Sequence, residues 1–324
     1  MCRQFHLRKQ VCIAAIVVAL VGVSLHLVAW QIAKDVVTMS YEMIAENQTV
    51  VVSSVEMKKE WPWNMGITAK DLHANGTRAD NLTIDISISP SLWFNLFLVK
   101  TSYLNSKMLT TATTTSVRVP LVYTFFKGPY AELHLNNFFF QKLSTSGNKT
   151  TTVTEDVYAS FHLQQKSLYM EVVMNKTEIL DIMDENIFGK QIDRIHLQGS
   201  ISSKLDWPRG VATTDLENQR LNFLKQVEIH IDHLSVIYGP LNATFTFNVV
   251  NWKLQGTARM CNHGKIIDLL KKWKWLATVS TLFLEDRQGC ILMPISFYGN
   301  YLQIYGFSVL KVDVVSWIQE LLIN

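Results

Sequence analysis

Alternation of apolar and polar residues is the feature that most constrains the fold of this chain. In LNATFTFNVVNWKLQGTARM, residues 241–260, apolar residues occupy every second position of two successive runs. Successive side chains of a β-strand point to opposite faces of its sheet, so this pattern predicts two half-buried strands. A turn near residues 250–251 makes them a hairpin with one apolar and one polar face. The apolar members are Leu241, Ala243, Phe245, Phe247 and Val249, then Trp252, Leu254, Gly256, Ala258 and Met260.

The same period of two recurs along the chain from about residue 50. NLTIDISI, residues 81–88, alternates in this way, and the alternating runs 157–163 and 168–174 flank a polar turn and predict a second hairpin. Two Thr- and Ser-rich segments, 110–116 and 144–152, are interpreted as loops or edge segments. The sequence therefore predicts a mainly β fold with a few α-helices, in which residues 49–324 form one β-rich domain around a large twisted antiparallel sheet.

Three segments of the β-rich region have helical spacing instead. They are residues 176–189, which end in a glycine suited to a C-cap, residues 263–276 and residues 312–323. The second contains interleaved lysines and tryptophans, namely Lys271, Lys272, Trp273, Lys274 and Trp275. This composition suits a helix that faces the headgroup zone of a membrane, and the alternative is a surface helix whose lysine stems cover the core.

The N-terminal region predicts a membrane anchor. VCIAAIVVALVGVSLHLVAW, residues 11–30, contains no Asp, Glu, Lys or Arg. About 20 helical residues span roughly 30 Å, the thickness of a bilayer core. The basic residues among 1–10 predict that this end is cytoplasmic and the remainder exported, and residues 31–48 continue the periodicity as a helical stalk. A cleaved signal peptide is the alternative, although Leu27 occupies a position where a cleavage site needs a small residue.

Charge and cysteine content narrow the choice of partner and compartment. The 30 basic and 27 acidic residues give a net charge of +3, too small to indicate a nucleic-acid partner. Cys2 and Cys12 precede or lie inside the apolar segment, which leaves Cys261 and Cys290 for the folded part. These two form a disulfide if their strands are neighbours in an oxidising compartment, and two unpaired core cysteines are the alternative. The chain also has Asn-x-Thr sequons at Asn47, Asn75, Asn81, Asn148, Asn175 and Asn242, which matter only in a eukaryotic secretory pathway.

No short catalytic, nucleotide-binding or metalloprotease motif is present, so we expect neither an enzyme nor a cofactor. IHIDHL, residues 229–234, places His230 and Asp232 on one face of a strand and His233 on the other, with His263 further along the chain. Two imidazoles and a carboxylate are zinc ligands. The polar side of a strand has the same composition, and we favour that interpretation over a metal site.

Several short stretches resemble an uncharacterised bacterial family, mostly alphaproteobacterial, known as domain of unknown function 2125. They are Tyr238-Gly239-Pro240-Leu241, Gly256, residues 266–273, residues 292–307 with the turn pair Gly299-Asn300, and the segment EWPWNMGITAKDLHA at residues 60–74. Trp207-Pro208-Arg209-Gly210 matches the family pattern only loosely. The resemblance implies a membrane-anchored envelope protein with a β-rich exported domain, and it transfers no catalytic residue.

The leading functional hypothesis is a single-pass inner (plasma) membrane protein, with the bulk of the chain periplasmic, that binds lipid or another amphiphile on the apolar face of a curved sheet. It follows from the number of one-sided strands that accompany a membrane anchor. One alternative is a scaffold that docks an envelope protein partner, and another is a eukaryotic type II membrane glycoprotein.

Overall fold

The computed structural model describes residues 22–24, 26–42, 44–45, 49–60, 64–74, 76–87, 92–105, 108–143, 149–179, 191–203, 227–250, 253–262, 264, 284–298, 301–304 and 307–311. Strands dominate this part of the chain, and all the strand pairs found within it are antiparallel. The prediction of a mainly β protein with a large antiparallel sheet is confirmed. The chain divides into two compact units, the first formed by Met1–Asn105 with Ala112–Phe126 and the second by Ser106–Thr111 with Lys127–Asn324.

The elements follow one another along the chain in this order. A first helix, α1, covers residues 22–24, 26–42 and 44–45. After it come β1 (Val50–Val51), β2 (Ser54–Glu60), β3 (Asn64–Ala74), β4 (Thr77–Ser87), β5 (Trp93–Asn105), β6 (Met108–Pro120), α2 (Leu121–Lys127), β7 (Tyr130–Leu143), β8 (Lys149–Gln164), β9 (Ser167–Ile179), β10 (Gln191–Ser203), β11 (Val227–Tyr238), β12 (Leu241–Val250), β13 (Lys253–Cys261), β14 (Leu284–Glu285), β15 (Ile291–Tyr298), β16 (Tyr301–Ile304) and β17 (Phe307–Lys311).

In the first unit, a helix covers the apolar face of the sheet. β3 pairs with β2 and β4, and β4 pairs with β5. The alternation predicted for residues 81–88 appears in β4, whose side chains Ile84 and Ile86 are buried. Ala33 and Val37 of α1 are completely buried in the same cluster as Ile86. The segment predicted as a stalk is therefore helical, but it packs on the sheet, where its small side chains allow close approach.

In the second unit, consecutive strands form an antiparallel meander. Each strand from β7 to β13 pairs with the next, β13 pairs with β15, and β15 to β17 continue the series. The hairpin of residues 241–260 is confirmed as β12 and β13, and that of residues 157–174 lies within β8 and β9. Tyr298 pairs with Tyr301 on either side of the predicted turn at residues 299–300.

Two residues in left-handed conformation change which side chains of the second unit are buried. Asn137 of β7 and Lys176 of β9 have φ values of 48° and 50°, and both are exposed. β8 lies between these two strands, and its residue 155 is level with Asn137 and Lys176. Val157 and Ala159, which follow residue 155, are buried, and so is Thr154, which precedes it. The spacing of buried residues on β8 is therefore two between residues 157 and 159 and three between residues 154 and 157. Positive φ is uncommon outside glycine, and here it interrupts the two-residue period.

The structure contradicts two expectations about local segments. The helix predicted from Lys176 is wrong at its start, because Lys176–Ile179 belongs to β9 and its neighbours Thr177 and Glu178 pair with β10. Cross-strand hydrogen bonds on both sides of β9 outweigh a local helical periodicity. Residues 180–189 of that prediction lie outside the described residues. The Thr-rich segment 110–116, interpreted as a loop or an edge segment, is part of β6, so the loop interpretation is wrong.

No helix in the described part of the chain is long and apolar enough to cross a membrane. Of the predicted anchor, residues 22–24 and 26–30 are helical, whereas residues 11–21 and 25 are among those that the structure leaves undescribed. The predicted helix at residues 312–323 and nearly all of the one at residues 263–276 are outside the described residues too. The same is true of the proposed membrane-facing side chains Lys271, Lys272, Trp273, Lys274 and Trp275.

Candidate functional site

Three rows of apolar residues run across the strands of the second unit, from β7 to β15 or β16. They arise because the strand registers place apolar residues directly opposite one another in every successive pair. We call these rows the apolar band. The first row is Ala131, Phe161, Met170, Gly199, Ile231, Phe247, Gly256, Ile295 and Ile304; the second is Leu133, Ala159, Val172, Leu197, Leu234, Phe245, Ala258 and Met293; the third is Leu135, Val157, Met174, Ile195, Val236, Ala243, Met260 and Ile291.

The size of the apolar band follows from the geometry of the sheet. Neighbouring strands are about 4.8 Å apart, so a row across eight strands is roughly 34 Å long. Rows two residues apart are separated by about 6.8 Å, which makes the three rows about 14 Å wide. The band therefore covers roughly 480 Å², the product of these two lengths. A contiguous apolar patch of more than a few hundred Å² on a soluble surface usually marks an interaction site.

Some large side chains of the apolar band are only partly covered, although Ile231, Ile291 and Met293 are 6%, 0% and 5% exposed. Leu234, Phe245 and Phe247 are half-buried, whereas the small Ala243 and Ala258 are 3% and 0% exposed. Apart from Gly264 and Lys127, the last residue of α2, the described residues of this unit contribute strands and turns but no helix to form a second layer. The first unit differs, because α1 packs on its apolar face. A sheet with one apolar face needs a second layer or a ligand to cover that face.

A depression of about 170 Å³ lies in the apolar band at Gly256. Its lining includes Leu234, Phe245, Phe247, Leu254 and Ile295, with the two threonines of the neighbouring pair 246 and 257. The glycine is required by close approach, since a Cβ at this position would lie 2.2 Å from the backbone oxygen of residue 246. Because Gly256 has no side chain, the first row has a depression at this position, and large apolar side chains line it.

A bulge in β11 keeps the apolar band continuous. The register of β11 against β12 shifts between Ile231 and Leu234, which pair with Phe247 and Phe245. In an uninterrupted strand, residues three apart would point to opposite faces, but the extra residue of the bulge places both on the apolar face. The bulge also brings His233 to the face of His230, because they pair with residues 198 and 200 of β10. The expectation that His233 lies on the opposite face from His230 is therefore wrong.

The opposite face of the sheet is polar and linked by hydrogen bonds. Glu171 Oε1 lies 2.8 Å from His196 Nε2 and accepts a 3.0 Å hydrogen bond from Gln198 Nε2. The hydrogen bond with His196, and then that with Gln198, lower the pKa of Glu171 below its ordinary value. The ring of His233 is 5.5 Å from that of His196, centroid to centroid. These side chains contact one another across β9, β10 and β11 and define the water-facing side.

A second polar group lies on β7 and β8 of the same face. Tyr130 Oη donates a 2.9 Å hydrogen bond to Glu132 Oε1, and the rings of His134 and Tyr158 are 4.7 Å apart. Burial, together with the hydrogen bond to Glu132, raises the pKa of Tyr130. Its hydroxyl is therefore a hydrogen-bond donor at neutral pH and not a proton acceptor. We therefore interpret these side chains of β7 and β8 as a network of contacts that supports the sheet.

Cys261 and Cys290 form a disulfide at the end of β13, with their Cα atoms 4.2 Å apart. Beside it, Asp286 accepts hydrogen bonds from the backbone N–H of Cys290 at 3.0 Å and from Arg259 Nε at 2.8 Å. The hydrogen bond from the Cys290 backbone is the main cause that lowers the pKa of Asp286. The chain that leaves β13 and returns at β14 is thus closed at its base by a covalent bond and an ion pair.

The histidines of residues 229–234 do not converge on a metal site. His230 Nδ1 is 3.0 Å from Asn248 Oδ1, and Asp232 is the exposed extra residue of the bulge. Within the described residues, no group of three or more His, Cys, Asp or Glu side chains is arranged to hold a metal ion. His263 lies outside those residues.

Comparisons with protein-family models, with curated proteins and with solved structures found no match for this chain. The resemblance to domain of unknown function 2125 therefore rests on the short stretches quoted above. Sequence reasoning located the hairpin of residues 241–260 but missed the band as a whole, because its rows depend on which strands pair. Within residues 229–236 the apolar positions change from odd numbers (229 and 231) to even numbers (234 and 236), and this change was the one local indication of the bulge.

Proposed function

We propose that the chain is a membrane-anchored protein that binds lipid or another amphiphile, with the acyl part lying on the apolar band. One observation carries the proposal: three unbroken apolar rows cross the second unit, and several of their large side chains, such as Leu234, Phe245 and Phe247, are half-buried. The polar opposite face favours a ligand on one side of the sheet only. The depression at Gly256 provides a seat for a methyl terminus or a bend in the chain.

The dimensions and the energetics are compatible with an acyl ligand. The hydrocarbon core of a bilayer is about 30 Å thick, so one leaflet of acyl chains is roughly 15 Å deep, less than half the length of the band. At about 25 cal/mol per Å², removing half of the roughly 480 Å² from water yields about 6 kcal/mol before the losses of ordering a flexible ligand. This is enough for binding without polar contacts, and it predicts low selectivity among headgroups.

The proposal places the protein at the inner (plasma) membrane, with the β-rich units on the periplasmic side. The apolar run that begins at residue 11 is the anchor, except for Ala29 and Trp30, which pack on the first unit. The uncharged apolar run and its basic N-terminal flank support this orientation. The disulfide also favours an oxidising compartment. A eukaryotic type II glycoprotein is a second candidate, favoured by the exposed side chain of Asn242 in its Asn-x-Thr sequon. A mobility shift on glycosidase treatment of the protein from its native membrane separates the two candidates.

Two measurements on the full-length protein in detergent test the proposed ligand site. The first is lipid extraction followed by mass spectrometry, which should return lipid in stoichiometric amount. The second is labelling with a diazirine-bearing fatty acid and peptide mapping, in which Leu234, Phe247 and Ile295 should carry the label. The polar-face residues Thr244 and Asn248, on the same strand as Phe247, serve as the internal control.

A matched pair of variants sharpens the labelling experiment. Leu234→Asn places an amide in the apolar band, whereas Ser235→Asn places the same group on the polar face of the same strand. We expect several-fold less labelling in the first variant and no change in the second. Protein without lipid, together with labelling spread evenly over both faces, would rule out the proposal and favour a scaffold that docks a protein.

A further inference from the structure

The short helix α2 exposes an unusual proportion of its apolar residues. Phe126 is 76% exposed, Tyr123 is 41% exposed and Val122 is 39% exposed, on a helix of 7 residues. Among the α2 residues whose side chains the structure describes, Leu121, at its start, packs against the core of the first unit. Scattered apolar residues are common on protein surfaces, but several on one short helix require an explanation.

The same end of the first unit holds a second group of exposed apolar side chains, at the beginning of α1. Val23, Leu27 and Val28 are 58%, 55% and 57% exposed. The following residues Ala29 and Trp30 pack against the core cluster that Leu121 of α2 also contacts. The exposed start of α1 and the exposed side of α2 therefore flank one cluster.

We propose that Val23, Leu27 and Val28 of α1, with Val122, Tyr123 and Phe126 of α2, form a surface that lies against the lipid bilayer. The direction of the chain carries the argument: residues 11–21, which precede α1 in the sequence, are all uncharged and mostly aliphatic. A bilayer that accommodates those residues lies next to the beginning of α1. The surface is thus a continuation of the anchor, and α2 is a second membrane contact of the same unit.

Basic and aromatic groups near α2 fit the headgroup zone. The guanidinium of Arg118, two residues before the end of β6, lies 4.7 Å from the centroid of the Trp93 ring. Tryptophan is enriched at the membrane interface, and arginine reaches phosphate groups while its stem stays among apolar neighbours. The apolar residues of α2 would then enter the edge of the acyl region, with this pair at the level of the phosphates.

Site-directed spin labelling of the full-length chain tests this surface. Single cysteines are introduced by Phe126→Cys and Tyr123→Cys in a background with Cys2→Ser and Cys12→Ala, and the native disulfide is retained. The matched control is Leu104→Cys, since Leu104 is an apolar residue with 66% exposure near the opposite end of β5. It lies eleven residue steps along the strand from Trp93, a distance of about 36 Å at roughly 3.3 Å per residue.

The labelled proteins are reconstituted into vesicles of phosphatidylcholine with a minor fraction of phosphatidylglycerol. Flotation first shows whether the chain is anchored. Collisions of the nitroxide with oxygen and with a neutral nickel chelate then report lipid and water, respectively. At residues 123 and 126 we expect accessibility to oxygen to exceed accessibility to nickel several-fold, with the reverse at residue 104.

Each other outcome overturns the inference. Nickel accessibility at residue 126 equal to that at residue 104 means that α2 faces water. Low accessibility to both reagents means that another protein or a second copy of the chain covers it, and failure to float means that no bilayer is near. Binding on the apolar band is measured separately by lipid extraction in detergent, so the failure of one proposal does not imply the failure of the other.

Discussion

Reducing the disulfide between Cys261 and Cys290 should loosen the β13–β15 part of the second unit without unfolding it. The two cysteines are 29 residues apart. In the loop-entropy description, closing a loop of about 30 residues stabilises the folded state by about 3.6 kcal/mol. The pairing of β13 with β15 over residues 255–260 keeps the two strands together after reduction. We therefore expect a large change in the free energy of opening and a small change in the average structure.

Hydrogen exchange measured by mass spectrometry gives the magnitude directly. At about 1.4 kcal/mol per factor of ten, a loss of 3.6 kcal/mol corresponds to roughly 400-fold faster exchange of the amides in β13 and β15 under conditions of rapid reclosing. Peptides from β3 and β4 in the first unit are the control and should not change. The double variant Cys261→Ala with Cys290→Ala should reproduce the effect without reductant. Acceleration below about threefold would refute the loop-entropy reasoning, because the bond would then contribute less than about 0.7 kcal/mol to the free energy of opening.

Three further predictions concern side chains of the second unit. Gly256→Ala should destabilise the protein by about 1–3 kcal/mol in urea unfolding, since its Cβ collides with the neighbouring strand, whereas Gly264→Ala, with open space around it, should be neutral. Thr154 and Thr177, 0% and 1% exposed, share a 3.2 Å hydrogen bond. Thr154→Val should therefore lower the free energy of unfolding by about 1–3 kcal/mol, and the double valine variant should recover part of this loss. Additive losses for the two single substitutions would contradict this prediction. The lowered pKa of Glu171 adds stability that is fully present above its ordinary pKa of 4.5 and is lost as the pH falls through the lower folded-state value. The Glu171→Gln variant should therefore lose less stability than the parent on acidification from about pH 5 to about pH 3, and equal losses would exclude a role for this carboxylate.

Much of the local structure was predictable because alternation is a local property. The hairpin of residues 241–260 and the strands on either side of residue 165 were found from the two-residue period alone. The same reasoning failed where the period is interrupted: Asp232 and His233 form a bulge, and Lys176 adopts a left-handed conformation. In each case the partner strand, and not the segment itself, determines which side chain faces which side. The helix expected from residue 176 failed for the same reason, since β10 pairs with that segment.

The sequence by itself determined that this chain forms strands with two chemically different sides, because each strand carries its own alternation of apolar and polar residues. Only the tertiary structure decided that eight strands stand in a register that aligns those residues into three continuous rows. Register depends on pairing between residues far apart in sequence, such as Leu133 with Ala159 and Leu197 with Leu234. It was also the tertiary structure that placed α1 over the first unit while the apolar band of the second stayed half-covered. Burial depends on which elements meet in space, and that relation is absent from any single segment.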